Sequence, residues 1–522
     1  MKTIKSLILG SAAGLLAVGG AQAADLPVKA KAVEYVKVCS LYGAGFWYIP
    51  GTDTCIKLGG YFRIDTTFNG SRTQDGPAWN GDSGLGDRYK NYFITRSRFA
   101  FTTDTRTATE YGVVRTFAQA DIQFDTLGND SQNPNGLATN LGNNQNLLNT
   151  TGGGYVAVEY VFIQFAGFTF GKSSSAYATP WEGYPGNNSS YLLGGHDTVT
   201  GVNNIQYTAQ FGNGVSATIG LDDPVVYNRT AVYNLSVGLT PAGTSSNAYA
   251  GVRMPDVVGN VRIDQAWGLF QISGALHEVN GSYNTLGSSA APTTASILSG
   301  SPETKYGGSV MAALQIKNIP TGPGDDIKID ASWAKGDTKN VIATSSTSPN
   351  FLMAGGTLGQ FGSDGSIGFG ATTDGIWLPT TSTVGGVRGD GSIHLTEAFG
   401  FRGAFNHNWD PYWSTSLFGG WSWVKYDDTA KVQYCAAYGA VVAGLNTTYS
   451  CDPNFSVSQL GVITRWTPVK NLTFSAEAMW THLHTGFSGS ATFSPGAPEP
   501  AQTWTYKDQD TLSFNVRAQR NF

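Results

Sequence analysis

Thr511–Phe522 reads TLSFNVRAQRNF, and its two faces decide the fold. Leu512, Phe514, Val516 and Ala518 share one face, while Ser513, Asn515, Arg517, Gln519 and Asn521 share the other. A period of two marks a strand with one apolar and one polar side. Only Arg520 interrupts the apolar side, next to the aromatic Phe522, where a membrane rim would fall. In lipid such a strand needs a partner on each edge, because unpaired N–H and C=O groups find no water there. The stretch therefore predicts the closing strand of a transmembrane barrel, with Phe522 as its closing residue and the first strand as its partner.

Composition agrees. The 522 residues include 67 Gly, only 13 % are charged and 12 % are aromatic, and no charged linker or Pro-rich hinge divides them. Many strands joined by Gly/Asn/Thr/Ser loops have this texture. A mean hydropathy of −0.15 speaks against membrane helices and suits a barrel whose polar faces offset its apolar ones. Without Lys2 and Lys5 of the leader, the 32 basic side chains fall to 30 against 37 acidic, a balance of −7. That balance argues against nucleic acid as a partner.

Lys2 and Lys5, the apolar run Leu7–Val18 and Ala21-Gln22-Ala23 form a secretory leader, with cleavage expected after Ala23. Three regions follow: 1–23 the leader, 24–54 a turn-rich periplasmic-side segment, and 55–522 the barrel. Cys39 and Cys55 are sixteen apart, as are Cys435 and Cys451. In an exported chain they read as disulfides. Three connectivities are possible; the local one pins two loops, each closure worth about 3 kcal/mol in the chain-entropy model. Zinc-type spacing of two to four residues between Cys pairs is missing, so neither a metal nor a cofactor is expected.

About sixteen strand-like segments follow one another. Leu58–Phe68 sets Phe62, Ile64 and Phe68 against Tyr61, Arg63, Asp65 and Thr67. Ile94–Thr103 sends Phe99 and Phe101 outward and Arg96 and Arg98 inward; Tyr111–Phe124 turns Arg115, Gln119 and Asp121 inward. The series runs on through Tyr155–Phe165, Phe168–Gly171, Ile205–Phe211, Val215–Leu221, Asp256–Asp264, Leu269–His277, Tyr306–Lys317, Ile327–Trp333, Ile393–Asn406, Trp413–Lys425, Phe455–Trp466 and Leu472–His484 to the terminal strand. Short links, such as Asp104–Thr107, Gly212–Gly214 and Trp409–Tyr412, alternate with long ones, such as Thr126–Gly153, Ser173–Thr200, Asp337–Ser392 and Asp427–Asn454. No helix-period run stands out. The reading is all-β: a transmembrane antiparallel β-barrel with short periplasmic turns and long extracellular loops.

Gly43–Arg63, Thr105–Arg115 (TRTATEYGVVR), Phe162–Gly171 (FIQFAGFTFG), Pro255–Gly268 (PDVVGNVRIDQAWG) and Val516–Phe522 (VRAQRNF) together resemble the alphaproteobacterial porin family. The resemblance implies a sixteen-stranded outer-membrane barrel of a Gram-negative bacterium, inserted by the barrel-assembly machinery, trimeric, and passing small hydrophilic solutes and ions by diffusion. The chain departs from the family in its long Gly/Ser/Thr-rich loops, above all Ala343–Ser392 and Thr126–Gly153.

A diffusion pore needs a polar lumen and a constriction rather than covalent chemistry. Arg63, Arg96, Arg98 and Arg115 fall on inward faces of three consecutive strands and are expected to form one basic wall. The third long loop, Ser173–Thr200, is expected to fold inward with Glu182 and Asp197 facing that wall. A plainer reading has the same arginines neutralising Asp65, Asp121 and other lumen acids. His482 and His484 share a strand face near Trp480, without the further ligands of a metal site. Arg388-Gly389-Asp390 is a tripeptide match of little weight, and no GxSxG elbow occurs. The expectation is a general diffusion channel with outer-membrane lipid as its surroundings, and not an enzyme. The alternatives are a substrate-selective channel or a barrel-based adhesin.

Overall fold

Period-two alternation is realised in sixteen antiparallel strands that close into a barrel. The computed structural model describes residues 37–69, 80–82, 93–125, 155–181, 185–187, 192–196, 200–225, 229–342, 350–356, 358–359, 363–442, 447–495 and 500–522. The strands are β1 Thr54–Phe68, β2 Phe93–Thr109, β3 Gly112–Asp125 and β4 Tyr155–Phe165. Next come β5 Phe168–Ser173, β6 Val202–Gly212, β7 Val215–Asp222 and β8 Asp256–Gln265. The second half holds β9 Gly268–Val279, β10 Lys305–Lys317, β11 Asp326–Lys335 and β12 Glu397–Asn408. The last four are β13 Trp413–Lys425, β14 Phe455–Val469, β15 Leu472–Thr485 and β16 Gln509–Asn521.

Each strand pairs with its neighbour in sequence, and β16 pairs with β1 from Tyr61 opposite Asn521 to Phe68 opposite Phe514. No barrel edge is left to satisfy in lipid. Phe522 donates its N–H to the Gly60 carbonyl at 3.1 Å, and its ring lies 5.7 Å from Phe62 and 6.2 Å from Phe99. Arg520 reaches the Lys470 carbonyl at the same short-turn end. The outward side chains, among them Ile64, Val161, Ile219, Ile272, Leu460 and Leu512, are exposed and apolar, as a lipid-facing belt requires. Tight links suit the residues in them: Ala166-Gly167 turns with φ of 49° and 87°, a region where Gly is at ease.

Two compact units make up the chain, Met1–Ile56 and Lys57–Phe522. In the first, Trp47 pairs with Ile56 and Tyr48 with Cys55, Cys39 is bonded to Cys55, and Phe46 is buried with both cysteines. The predicted leader and residues 24–36 lie outside the described residues.

The long loops depart most from expectation. Residues read as irregular connections build a folded cap at the end of the barrel opposite the short turns. Asn350–Ala354 and Ser366–Ala371 form a hairpin within the sixth long loop, between β11 and β12. Ser366–Ala371 also runs parallel to Gln502–Tyr506, which pairs with Ser488–Phe493, which in turn pairs with Thr447–Ser450. A second small sheet sets Ala231–Asn234 parallel to Thr373–Trp377. The seventh long loop, between β13 and β14, contains a helix, α1 Asp428–Val441, although the sequence shows no plain helical period. Asp427 caps it by accepting from the Ala430 N–H at 2.8 Å. Its buried face is Ala430, Gln433, Tyr434, Ala437 and Tyr438, the right spacing written in small and polar residue types. Tyr434, Tyr438, Phe369, Phe487, Trp504 and Tyr506 meet there in the largest apolar core of the described residues, and Cys435 is bonded to Cys451 at its edge.

Two boundaries also need correcting. The expected link Asp104–Thr107 lies inside β2, and the turn falls at residues 110–111. Asp104 and Arg106 look like turn residues because they are charged, yet they point inward into an ion cluster. Ile393 does not begin a barrel strand: His394–Leu395 joins the small cap sheet and β12 starts at Glu397.

Candidate functional site

The inward faces of β1, β2, β3 and β16 carry arginines in three tiers, set by register. Nearest the short turns, Arg106 and Arg115 stand opposite each other and share Asp104, each with a guanidinium nitrogen 3.0 Å from its carboxylate. Higher, Arg98 donates to Asp121 at 2.6 Å and to Gln123 at 2.7 Å, and the Tyr61 hydroxyl donates to the same aspartate at 3.5 Å. Highest, Arg96 and Arg517 grip Asp65 from two sides, Arg96 at 2.7 Å. Arg63 donates to the neutral Gln519 at 2.8 Å, with its guanidinium 4.4 Å from the Tyr61 ring centre.

Arg63, Arg96, Arg98 and Arg115 lie on the inward faces of three neighbouring strands, and Asp65, Asp104 and Asp121 there are each gripped by arginine. Among the described residues of this wall, Arg96, Arg98, Arg106, Arg115 and Arg517 share those three carboxylates, and Arg63 bonds the neutral Gln519. Burial separates the tiers. The Arg96 side chain is 1 % exposed, whereas Arg106 and Arg115 are 30 % and 29 % exposed. A buried ion pair is held mainly because removing one partner strands the other; a partly wet guanidinium remains available to a passing anion. Asp104, Arg106 and Arg517 were missed as members of the cluster. Arg517 was visible on the polar face of the last strand, but only the register places it beside Asp65.

The third long loop starts against the opposite wall, at β8 and β9, and runs along the inner face as far as β15 and β16. Its Ala176 and Ala178 carbonyls accept from Asn260 of β8 at 2.6 Å and from Gln271 of β9 at 2.7 Å. The Asn187 amide donates to Ser475 of β15 at 3.0 Å and to Asn515 of β16 at 2.9 Å, and Arg465 of β14 donates to the Pro185 carbonyl. On the returning leg the Leu193 N–H donates to Gln459 of β14 at 2.8 Å. The Leu192 carbonyl accepts from Arg402 of β12 at 3.2 Å. Arg402 is itself fixed by Asp330 of β11 at 3.0 Å.

Glycines pave the contact. A Cβ on Gly194 would lie 2.5 Å from the Phe401 carbonyl, and one on Gly420 would lie 2.5 Å from the Leu193 carbonyl. Backbone meets backbone here, which only Gly allows. The predicted acids Glu182 and Asp197 lie outside the described residues.

Elsewhere, His482 and His484 bond Asp510 and Asp508, each at 2.9 Å, on the outer rim. Asp390 of the Arg-Gly-Asp tripeptide is held by His394 at 2.8 Å and by Gln433 at 3.1 Å.

A closed barrel with an apolar outer belt, a charged inner wall and a long loop folded inward defines an outer-membrane β-barrel protein. The chain belongs to the porin family: the family profile described as "Porin subfamily" matches residues 25–515. Porin Omp2b of Brucella abortus (strain 2308) is 35 % identical over 274 residues, 51 % of this chain and 63 % of the relative. Porin Omp2b of Brucella melitensis is 36 % identical over the same length, 51 % of this chain and 63 % of the relative. The match thus takes in less than two thirds of those relatives. The outer membrane channel DcaP of Acinetobacter baumannii shares the fold, with a TM-score of 0.53 and 13 % identity over 91 % of this chain and 99 % of that one. The protein resides in the outer membrane of a Gram-negative bacterium.

Proposed function

We propose that this porin is a passive diffusion channel for small hydrophilic solutes and ions, that it assembles as a homotrimer, and that it works as a channel rather than a catalyst. The observation that carries the channel reading is a tiered arginine wall on β1, β2, β3 and β16 with a loop folded inward from the facing strands β8, β9 and β12 to the edge of that wall. In a narrow bore with low-dielectric walls, fixed charge on one side makes a field that orients polar solutes and weights ion traffic. Arginines shared among fewer carboxylates support a weighting toward anions.

The test is single-channel recording of the purified protein in a planar bilayer under a salt gradient. Ohmic steps in groups of three, with a reversal potential on the anion side, are the expected result. Substituting Arg63→Ala together with Arg115→Ala should move the reversal potential toward cations. These two suit the test better than the buried Arg96, whose loss would leave the buried Asp65 with Arg517 alone. Folded protein that never conducts would refute the diffusion reading.

A further inference from the structure

Inward positions of β12–β15 change character along the bore. Toward the short turns they are polar and partly accessible, as at Asn406, Arg465 and Thr473. Toward the long loops Val424, Phe455, Val457 and Leu483 point inward, apolar and at most 1 % exposed. Such residues have no place in a water-filled lumen. They are dry because the sixth long loop fills the space: Ile367, Phe369 and Phe351 belong to the same apolar core.

The filling is a fitted contact. Thr485 of β15 donates to the Phe369 carbonyl at 3.2 Å, and Gln509 of β16 donates to the Ser366 hydroxyl at 2.8 Å. A Cβ on Gly370 would fall 2.3 Å from the Phe455 ring. On the far side Asp374 accepts from the N–H groups of Thr230 at 3.0 Å and Thr338 at 2.8 Å and from the Tyr249 hydroxyl at 3.0 Å, tying the fourth long loop (between β7 and β8) to the sixth. The cap also presses on the third loop: the Gly194 N–H donates to the Val341 carbonyl at 3.0 Å, and Gly195 bridges Ile342.

We infer that this cap, seated in the outer half of the bore along β12–β16, sets the size limit for solutes arriving from outside. That limit is smaller than the one met from the short-turn side. The inference rests on the diffusion reading above and deepens it by naming the element that selects by size. The third loop narrows the bore from both directions alike. A plug confined to one end does not, so its mark is asymmetry.

Neutral polyethylene glycols of graded mass, added to one side of the bilayer at a time, read that asymmetry in the full-length protein. Polymer that enters lowers single-channel conductance, and polymer that is too large does not. The wild type should show a cut-off at least about twofold larger in polymer mass from one side than from the other. Phe369→Asp, which puts a charge in the cap core, and deletion of residues 343–392 should each remove the asymmetry and raise conductance about twofold or more. A wild-type channel that stays closed while either variant conducts would refute the diffusion reading, and this inference with it. Equal cut-offs from both sides of the wild type would overturn it and leave the diffusion reading standing, as would an unchanged asymmetry in both conducting variants. Silence from wild type and both variants would sink the diffusion reading, and this inference with it.

Discussion

Two stretches of the same inner wall obey one alternation and end up in opposite states. On β1–β3 the inward positions are mostly Arg, Asp, Gln and Thr, and Arg63, Arg98, Thr102, Arg106, Arg115 and Gln119 among them stay partly accessible. On β12 and β13 they include Ala398, Gly400, Arg402, Ala404, Ser416, Phe418, Gly420, Ser422 and Val424, all buried beneath other parts of the chain. Asn406, Asn408 and Ser414 near the short turns stay partly accessible. Alternation says which face turns inward; side-chain size and charge say whether that face meets water or protein. Small inward residues mark where a loop lies down, because backbone can approach only where no Cβ stands in the way.

The comparison can be broken from either side. The largest effect is expected at Arg402, a buried guanidinium on the dry wall that bonds the third loop. Arg402→Ala leaves Asp330 buried without this partner and should cost about 3–5 kcal/mol, seen in denaturant unfolding, together with noisier channel current as the loop loses its anchor. A variant of wild-type stability and quiet current would deny Arg402 that role.

A paired test on the charged wall comes next. Arg96→Ala should destabilise far more than Arg115→Ala, because the first pair is dry and the second is partly wet. The exposed pair should contribute only about 0.2–1 kcal/mol. Reversal potentials should rank the other way. Equal stability losses would erase the distinction between tiers. On the dry wall, Gly420→Val should cost about 1–3 kcal/mol by forcing the third loop off its seat, whereas the same change at the exposed Gly251 should do little. Equal effects would show that the glycine paving is incidental.

The smallest expected effect concerns the cap alone. Burial pushes the Tyr233 phenol up to about 12, and it also raises Tyr434, Tyr438 and Tyr506. An acid whose folded value is raised holds its proton longer in the folded cap than in the opened one. Stability is therefore lost as pH climbs past about 10, the ordinary tyrosine value. Tyrosinate absorbance should rise in a late, cooperative step as the cap opens, with the barrel strands intact by circular dichroism. A gradual titration centred near 10 would mean that these phenols are wet.

Much of this was legible in the sequence. Each of the sixteen strands has a counterpart in the alternation, and the inward placement of Arg63, Arg96, Arg98 and Arg115 follows from parity alone. What stayed hidden needs long-range information. Nothing local pairs Arg517 with Asp65, and charge made Asp104 and Arg106 resemble a turn when they were the foot of the arginine wall. The cap was masked differently: its strands are short and Gly-rich, and α1 buries Gln433 and two tyrosines where aliphatic residues would have shown a period. Irregular composition was taken for irregular structure because burial there is supplied by other loops.

The seam between β1 and β16 carries a kinetic consequence. The bond from Arg63 to Gln519 joins residues 456 apart, whereas every other neighbouring pair in the barrel is adjacent in strand order. Hairpins can form as they arrive, but the ring cannot shut until the strand bearing Gln519 has been delivered. Loop closure over such a span is entropically slow. Until then β1 presents a bare edge that can recruit a strand from another chain. The time between delivery of β1 and delivery of β16 is therefore the interval in which the protein most needs a chaperone.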